Sequence, residues 1–583
     1  MKAPEAAGIL SEIAMLLEVV GGDPFRAKAY ANAARRLEAS GADLADLAAR
    51  GKLTTLPGIG EGIAAVLKEL VETGTSALYE RLAADTPIGL YDLMRIKGLG
   101  PKRVRAVYAD LGISSLDALE EAALAGRIAP LPGFGAKTEQ KILEGIAFAR
   151  AGRGRRRLPQ AVEVAERLLE WMELQASVSK ADVAGDVRRD LEVVDSVDLV
   201  AASRSPDVVL AAFRDLSGAD PAATTVMQPD RAEIRFSDGM LARLTCVTPD
   251  RYVAALVRAT GSEAHLRQLE ARAESMGMRF DADGLHRGDE RLKPKTEKAF
   301  YKHLGLDYIE PELREGWGEV EAAAEGRLPK LIEVNDLRGT FHCHTTYSDG
   351  RATLAEMAEA ARERGWSYLG LGDHSQSAGY AGGLSPMQVL AQHAEVDAWN
   401  REHGGKGKGR FRLFKGIESD ILPDGRLDYA DDILARFDYV VGSVHSSFGI
   451  GEKEMTKRMI RAVSHPRITI LGHATGRLLL RRDAYEVDVK AVIDAAAEHG
   501  CAVEINADPA RLDVNWENAR YAAERGVLVP IDPDAHSTSS LDHVQWGVRV
   551  ARKGWLGARQ VLNAWELEEV EEHFAKRKQG RPP

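Results

Sequence analysis

Three kinds of apolar patterning divide the chain. Over residues 1–157, apolar positions recur at helical spacing and are broken repeatedly by Gly/Pro-punctuated turns, which predicts a set of short helices. The opening stretch MKAPEAAGILSEIAMLLEVV mixes acids with apolar residues and has no basic leader, so it reads as an amphipathic helix and not as a signal peptide. Residues 158–255 begin with a helical period over 161–175 and continue with β-type runs at 193–201 and 231–247. Residues 256–320 read as helices followed by turns, and 315–336 as a charged connector. From 338 onward, short β-type runs alternate with amphipathic helices. Examples are Tyr368-Leu369-Gly370-Leu371, Tyr439-Val440-Val441-Gly442-Ser443-Val444, Ile468-Thr469-Ile470-Leu471, Cys501-Ala502-Val503-Glu504-Ile505 and Val527-Leu528-Val529-Pro530-Ile531. Such alternation predicts a parallel α/β barrel, whose chemistry belongs at the C-terminal ends of its strands.

One turn recurs in the helical front. It stands as Leu56-Pro57-Gly58-Ile59-Gly60, as Ile96-Lys97-Gly98-Leu99-Gly100 and as Leu131-Pro132-Gly133-Phe134-Gly135, each followed by a helical period. Paired glycines allow a tight turn and leave backbone N–H groups bare at a helix N-terminus, a ready site for a phosphate. Lys102 and Lys137 follow two of the turns. Three copies predict helix-hairpin-helix modules that hold the DNA backbone without reading bases.

Charge changes the picture only when it is divided. The whole chain of 583 residues has a net charge of -11, which argues against nucleic acid as a partner. Residues 1–157, however, hold 22 Lys+Arg against 19 Asp+Glu, a balance of +3 that leaves -14 for the rest. The run Arg150-Ala151-Gly152-Arg153-Gly154-Arg155-Arg156-Arg157 reads either as a solvated hinge or as a phosphate contact. Three scattered cysteines exclude a disulfide framework and suit a reducing cytoplasm, and no run approaches the length of a membrane span.

Twelve of the 15 histidines lie after residue 338, among the acids. They fall where the barrel rule wants chemistry: His342 and His344 around Cys343, Asp349 in Tyr347-Ser348-Asp349-Gly350, Asp373-His374, Glu418, His445, His473, and Asp534-Ala535-His536. Two histidines at i, i+2 on a strand share a face and can meet one metal. Six strand ends bearing His, Asp or Glu predict a polynuclear metal site.

In order along the chain these residues form HxH, SDG, DH, GxE, a lone His, GH and DAH. The series resembles the polymerase-and-histidinol-phosphatase (PHP) family over about residues 338–583. The resemblance implies a distorted (β/α)7 barrel holding three divalent metals. One would lie on His342, His344, Glu418 and Asp534. A second would lie on Glu418, His445 and His473, with Glu418 bridging, and a third on Asp349, His374 and His536. Mixed imidazole and carboxylate ligation suits Zn or Mn. Asp373 is a candidate orienting group or proton carrier, and Arg477, in Thr475-Gly476-Arg477, a candidate phosphate clamp.

The middle segment completes a wider resemblance. Ala184-Gly185-Asp186-Val187-Arg188-Arg189, Thr260-Gly261-Ser262, Leu292-Lys293-Pro294-Lys295-Thr296-Glu297 and Ile309-Glu310-Pro311-Glu312-Leu313-Arg314 resemble landmarks of the bacterial family X DNA polymerase/3'–5' exonuclease. The implied domains are an N-terminal helical domain with the first hairpin (1–84), a fingers-like hairpin region and basic linker (85–157), a nucleotidyltransferase-like palm (158–255), a thumb (256–320), a linker (321–337) and the PHP domain (338–583). The fold class is thus multidomain α+β and α/β.

The palm's active-site positions depart from the family. Counted from Arg188-Arg189, its first two carboxylates fall at Ser196 and Asp198, and its third at Arg243. The serine that should meet the triphosphate is Asp186, the aromatic pair is Arg258-Ala259, and the nucleotide-contacting Asn is Leu266. Asp195 and Glu192 are the residues that a shifted register could supply instead. The family's lyase lysine falls at Val66, with Lys68 on another side of the helix, so no lyase is expected.

The expected protein is therefore a cytoplasmic, monomeric DNA-repair enzyme that hydrolyses phosphodiesters at a PHP metal site, chiefly as a 3'–5' exonuclease and secondarily at abasic sites. Its partners are gapped DNA, single strands or 3' ends, with no membrane. Polymerase activity is expected weak or lost, and Mg or Mn would sit in the palm only if it works. The alternatives are a gap-filling polymerase with atypical ligands and a small-molecule phosphatase of the histidinol-phosphatase type.

Overall fold

The computed structural model describes every residue except 1–2, 39–41, 88, 95, 97, 153, 217–225, 237–238, 406, 408 and 579–583, so Lys97 and Arg153 of the motifs above lie outside the described residues. The chain divides into two compact units, residues 1–153 and 154–583. Among the described residues, no helix is long and apolar enough to cross a membrane.

The first unit is helical throughout. Its opening helix spans Ala3–Val19, with Leu10, Ile13 and Leu16 buried, the stripe that helical spacing requires. Apolar residues gather into two cores. One runs from Ala3 to Leu82, and the other joins Val19 to residues between Leu90 and Ile146. Each core surrounds its own hairpins.

The second unit begins with a five-stranded sheet. Its strand order is Val178–Ala184, Ser196–Ser203, Leu241–Val247, Arg231–Arg235, Val226–Gln228. The run at 231–247 is therefore two strands and not one: residues 236 and 240 close a turn between them by a Phe236 N–H bond to the Met240 carbonyl at 2.8 Å. The helix Leu158–Glu173 packs on one face and contributes Leu158, Ala161, Ala165, Leu168 and Met172 to the core. The other face joins the helices Tyr252–Thr260, Glu263–Ser275 and Glu297–His303 in a second core that includes Phe280, Phe300 and Tyr301.

Two charged stretches are tied down by specific pairs. In the connector, Glu319 is fully buried and accepts a short bond from His265 Nδ1 at 2.6 Å, while Glu315 lies between Arg189 and Lys553. In the basic run, Arg156 and Arg157 pair with Val194 and Val193 as a two-stranded sheet, and Arg155 meets Asp195 at 2.8 Å. Burial lowers the Arg157 guanidinium pKa.

From Gly339 the strands are short and parallel. They form three sheets, Gly339–Cys343/Tyr368–Leu371/Arg412–Phe414, Glu418–Asp420/Val441–Ser443/Ile470–Leu471/Ala502–Val503 and Ile505–Asn506/Ile531–Asp532. Isolated parallel bridges between His374 and Glu418, and between Cys343 and Ala535, connect these pieces. The barrel expected from the alternation is thus a segmented parallel array; no single ladder closes it. Phe341, Tyr368, Phe414, Tyr439 and Phe574 pack together as one buried aromatic cluster beneath these strands.

Candidate metal centre and nucleic-acid interface

All nine predicted metal-type residues converge at these strand ends. Glu418, buried, is the hub. Its oxygens lie 2.9 Å from His473 Nε2, 2.9 Å from His374 Nδ1, 3.2 Å from His445 Nε2 and 3.2 Å from His342 Nε2. Asp534 lies 3.1 Å from His344 Nε2, and Asp349 lies 3.3 Å from His536 Nε2 and 3.6 Å from His374 Nε2. By proximity the ligand atoms fall into four overlapping groups: His342, His344 and Asp534; His342, Glu418 and His473; His374, Glu418 and His445; and His344, Asp349, His374 and His536. His473 therefore lies with His342, and His445 with His374, a regrouping of the partition that the family resemblance implies. Among the described residues all four such groups belong to this domain, and none to the palm.

The residues fit a cation. Both ring nitrogens of His344, Nε2 of His342, Nδ1 of His374 and Nδ1 of His473 are buried and meet no partner in hydrogen-bonding geometry. A buried polar atom left so is costly unless something else fills the role. His342, His473 and Asp534 also hold φ of 55°, 23° and 50°, a left-handed backbone that is uncommon outside glycine and that gathers at functional sites.

Four groups that sequence reasoning missed hold this centre in shape. Glu504 Oε2 accepts from His342 Nδ1 at 2.6 Å, both fully buried, which turns Nε2 toward Glu418. Asp420 does the same for His445 Nδ1 at 2.6 Å. Asn506 donates to Asp534 at 3.1 Å, and the Arg511 guanidinium lies 3.6 Å from the same carboxylate. Glu504 and Asn506 lie in and directly after the 501–505 run read as a strand, so the strand-end rule was the available signal for them; Asp420 and Arg511 carried no such signal.

Burial pulls every imidazole pKa down, and the carboxylates decide the outcome. Glu418 and Asp349 lift His374 to about 10; Glu418 and Asp420 lift His445 to about 9; Asp349 and Asp534 lift His536 to about 9. His344, buried beside His536, and His473, buried beside Arg511, are lowered to about 4. Although burial opposes it, the surrounding imidazoles hold Glu418 and Asp534 well below the carboxylate range. A cation entering here takes the place of protons.

Two predicted residues have other work. Asp373 is fully buried and accepts from Thr345 N and Oγ1 at 2.8 Å each, and from Ser348 Oγ and Gln392 Nε2 at 2.6 Å each. Its oxygens are occupied, so it orients the loop that presents Asp349 and is not placed as a proton carrier. Arg477 is not a free clamp. It donates to the Arg511 carbonyl at 3.0 Å, to the Leu512 carbonyl, and to Glu192 of the palm at 3.2 Å. It straps the loop that carries Arg511 to the palm.

The three hairpins share one geometry. Gly58, Gly98 and Gly133 have φ of 80°, 90° and 81°, where a side chain would be strained. The next residue closes each turn, with Ile59 N–H to Leu56 O at 3.1 Å and Leu99 to Ile96 and Phe134 to Leu131 at 3.0 Å each. Gly60, Gly100 and Gly135 are the N-caps of the helices Glu61–Thr73, Pro101–Leu111 and Ala136–Ala151 and place no side chain over the bare N–H groups. Lys102 and Lys137 are exposed in two of these first turns. Arg103 joins the second and third hairpins, donating to Gly98 O at 2.8 Å and Gly133 O at 3.1 Å. Val66 is buried and Lys68 is exposed beside Glu72.

In the palm, Asp198 and Arg243 face each other in register on parallel strands, at the floor of a cleft of about 540 Å³. Arg243 lies 3.6 Å from Asp198 but 3.0 Å from Glu233, and donates to Ser196 Oγ at 2.8 Å; Ser196 in turn donates to Asp198 at 2.8 Å. Glu233, not Asp198, is thus its nearest partner. Asp186, expected to face a bare anion, is neutralised by Arg189 at 2.6 Å. Glu192 and Asp195 are engaged by Arg477 and Arg155, and Asp195 lines the same cleft as Asp198.

Four family models match: a helix-hairpin-helix domain over 1–76, a SAM-like helix-hairpin-helix tandem over 90–147, a DNA polymerase beta thumb over 255–315 and a PHP domain over 340–508. Fold and site together define a DNA-polymerase-type chain with a PHP metal centre. The DNA polymerase/3'-5' exonuclease PolX of Bacillus subtilis is 36% identical over 568 residues, covering 97% of each chain. This chain belongs to that family, the bacterial family X DNA polymerase/3'–5' exonucleases. Its C-terminal part is also 26% identical to a "probable phosphatase" of Thermoanaerobacter sp. X514, over 41% of this chain and 94% of the relative. A "probable phosphatase" of Caldicellulosiruptor saccharolyticus is 29% identical over 33% of this chain and 78% of the relative.

Proposed function

We propose that this chain degrades DNA from 3' ends by metal-dependent phosphodiester hydrolysis at the PHP centre, and that nucleotide addition in its palm is weak or lost. One observation supports this above the rest: nine metal-type residues converge with buried, unbonded imidazole nitrogens, whereas the palm retains Asp198 opposite a guanidinium. These nine residues would hold up to three metals in the proximity groups given above, with Glu418 shared between the His342–His473 and His374–His445 groups. The mixed donor set suits Zn or Mn. Bound there, such metals supply an acidified water and neutralise charge developing on phosphorus oxygens. Glu504 and Asp420 fix the rings of His342 and His445, and Asp373 fixes the loop of Asp349. Arg511, strapped by Arg477, brings a permanent cation to the edge of the centre, where it can pair with a phosphate oxygen. The hairpins hold the duplex or single strand by its backbone. They also favour DNA over a metabolite phosphate, for which no such grip is needed.

His344→Ala tests the reading. It should abolish degradation of single-stranded DNA in Mn while DNA binding persists. Degradation at the wild-type rate would place the nuclease elsewhere.

A further inference from the structure

Beside the metal centre stands an aromatic ring that the chemistry above does not use. Tyr380 lies in the one-turn 3-10 helix Gly379–Ala381 and is 74% exposed. A single exposed apolar side chain is ordinary on a protein surface. Two features set this one apart. Its ring centroid lies 6.1 Å from that of His374 and 6.5 Å from that of His445, so it stands at the rim of the centre. Its turn is also firmly anchored. Asp428 accepts from Ser375 Oγ at 2.7 Å and from the Ser377 N–H at 2.9 Å. Asp420 accepts from Ser377 Oγ at 2.7 Å, and the same carboxylate holds His445. Backbone bonds from Ala381 N and Gly383 N to Ala378 O, at 2.9 and 3.1 Å, close the turn. The ring is thus wet, on a backbone turn that is held in place beside two candidate ligands.

A hydrolytic centre acting on a phosphate monoester needs no such surface. One acting on the end of a nucleic acid must place the base attached to the reacting phosphodiester, and a preset aromatic face does this for any base, because every base has a π-face. We propose that Tyr380 is the stacking platform for the 3'-terminal nucleobase, a specificity-determining residue that selects base-bearing DNA ends. The proposal rests on the nuclease reading above and names its substrate contact. The contact is apolar, so Phe should replace Tyr, and Ala should not.

The test compares two 5'-labelled single strands that differ only at the 3' terminus, one ending in an ordinary nucleotide and the other in a tetrahydrofuran abasic residue. Initial rates of the first cleavage are measured in Mn for wild type, Tyr380→Phe and Tyr380→Ala, with bound metal counted for each. Wild type should prefer the base-bearing end. Tyr380→Ala should lose about 5- to 150-fold in kcat/KM on that end, mostly in KM, the range expected for one stacked base, and should match wild type on the abasic end. Tyr380→Phe should behave as wild type on both. Equal loss on both ends by Tyr380→Ala, no loss on either, or a Phe variant as impaired as Ala would each overturn the assignment while leaving the nuclease reading intact. Failure of wild type to shorten either strand would overturn the nuclease reading, and this proposal with it.

Discussion

Replacing Glu504 by Gln should weaken metal binding without unfolding the domain. The carboxylate accepts from His342 Nδ1 at 2.6 Å, which commits that nitrogen to keep its proton and makes Nε2, beside Glu418, the one that yields its proton to a metal. An amide of the same shape presents an NH₂ group as readily as an oxygen, so the tautomer is no longer selected. It also removes a negative charge that helps to raise the His342 pKa well above its usual value against the effect of burial. Outer partners of this kind are worth 10–100-fold in metal affinity or activity, which is about 1.4–2.8 kcal/mol. Both partners are fully buried, so solvent does not screen the pair, and the upper half of that range is expected here. Affinity is read by competition against a chromophoric chelator, and initial nuclease rates are followed as Mn is raised. The Mn dependence should move to higher concentration by that factor and recover at saturation, with an unchanged melting midpoint for the metal-free protein. Wild-type affinity and an unmoved Mn dependence in a folded Glu504→Gln protein would refute the reasoning.

Other consequences are separately checkable. A Cβ at Gly100 or Gly135 would meet nothing within 4 Å in the free protein, so Gly100→Val and Gly135→Val should fold normally yet weaken DNA binding of any sequence, measured by anisotropy; wild-type affinity should fall steeply with salt, and a salt-independent affinity would contradict the hairpin account. Burial pushes the Asp190 carboxyl to about 6 despite Arg549 at 2.7 Å, so the folded state holds this proton more tightly than the unfolded chain and loses up to about 3 kcal/mol as pH rises from about 4 to 7. Asp190→Asn should therefore gain thermal stability relative to wild type across that window, and a pH-independent difference in melting midpoint would contradict the assignment. The double change Ser196→Asp, Arg243→Asp should bring divalent-metal binding to the palm before any synthesis, because Arg258, Ala259 and Leu266 remain; calorimetry showing no new metal site would count against the cleft geometry described here.

Much of this was legible because the signals were local. The paired glycines fix a left-handed turn and a bare helix start within five residues, so the three hairpins follow from the sequence alone. His342 and His344 do meet, but through a left-handed His342 in an irregular strand end and not through plain alternation, and most of the other ligands fall at or just past strand ends, with Asp349 on a loop. What was not legible depends on distant pairing. Glu504 looked like part of a strand, and it becomes an orienting group only because His342, 162 positions away, is brought against it. Arg477 looked like a phosphate clamp beside His473, until Glu192, 285 positions away, and the 511–512 carbonyls claim its donors. Arg243 was correctly placed beside Asp198, yet Glu233 on the hairpin strand is closer, since 231–247 folds into two strands. The connector showed only its charges in the sequence; two of them, Glu319 and Glu315, are taken up by His265, Arg189 and Lys553, while Glu325 and Arg327 stay exposed.

The central claim is that hydrolysis belongs to the PHP centre and that the palm no longer synthesises. One gel tests both halves. A 5'-labelled primer on a gapped template is incubated in Mn with all four dNTPs, with wild type and with His344→Ala. The account predicts shortening by wild type and neither shortening nor extension by His344→Ala. Template-directed extension by His344→Ala would show an active palm whose ligands lie outside the Ser196, Asp198 and Arg243 set, and shortening by it would show that the nuclease is not the cluster around Glu418.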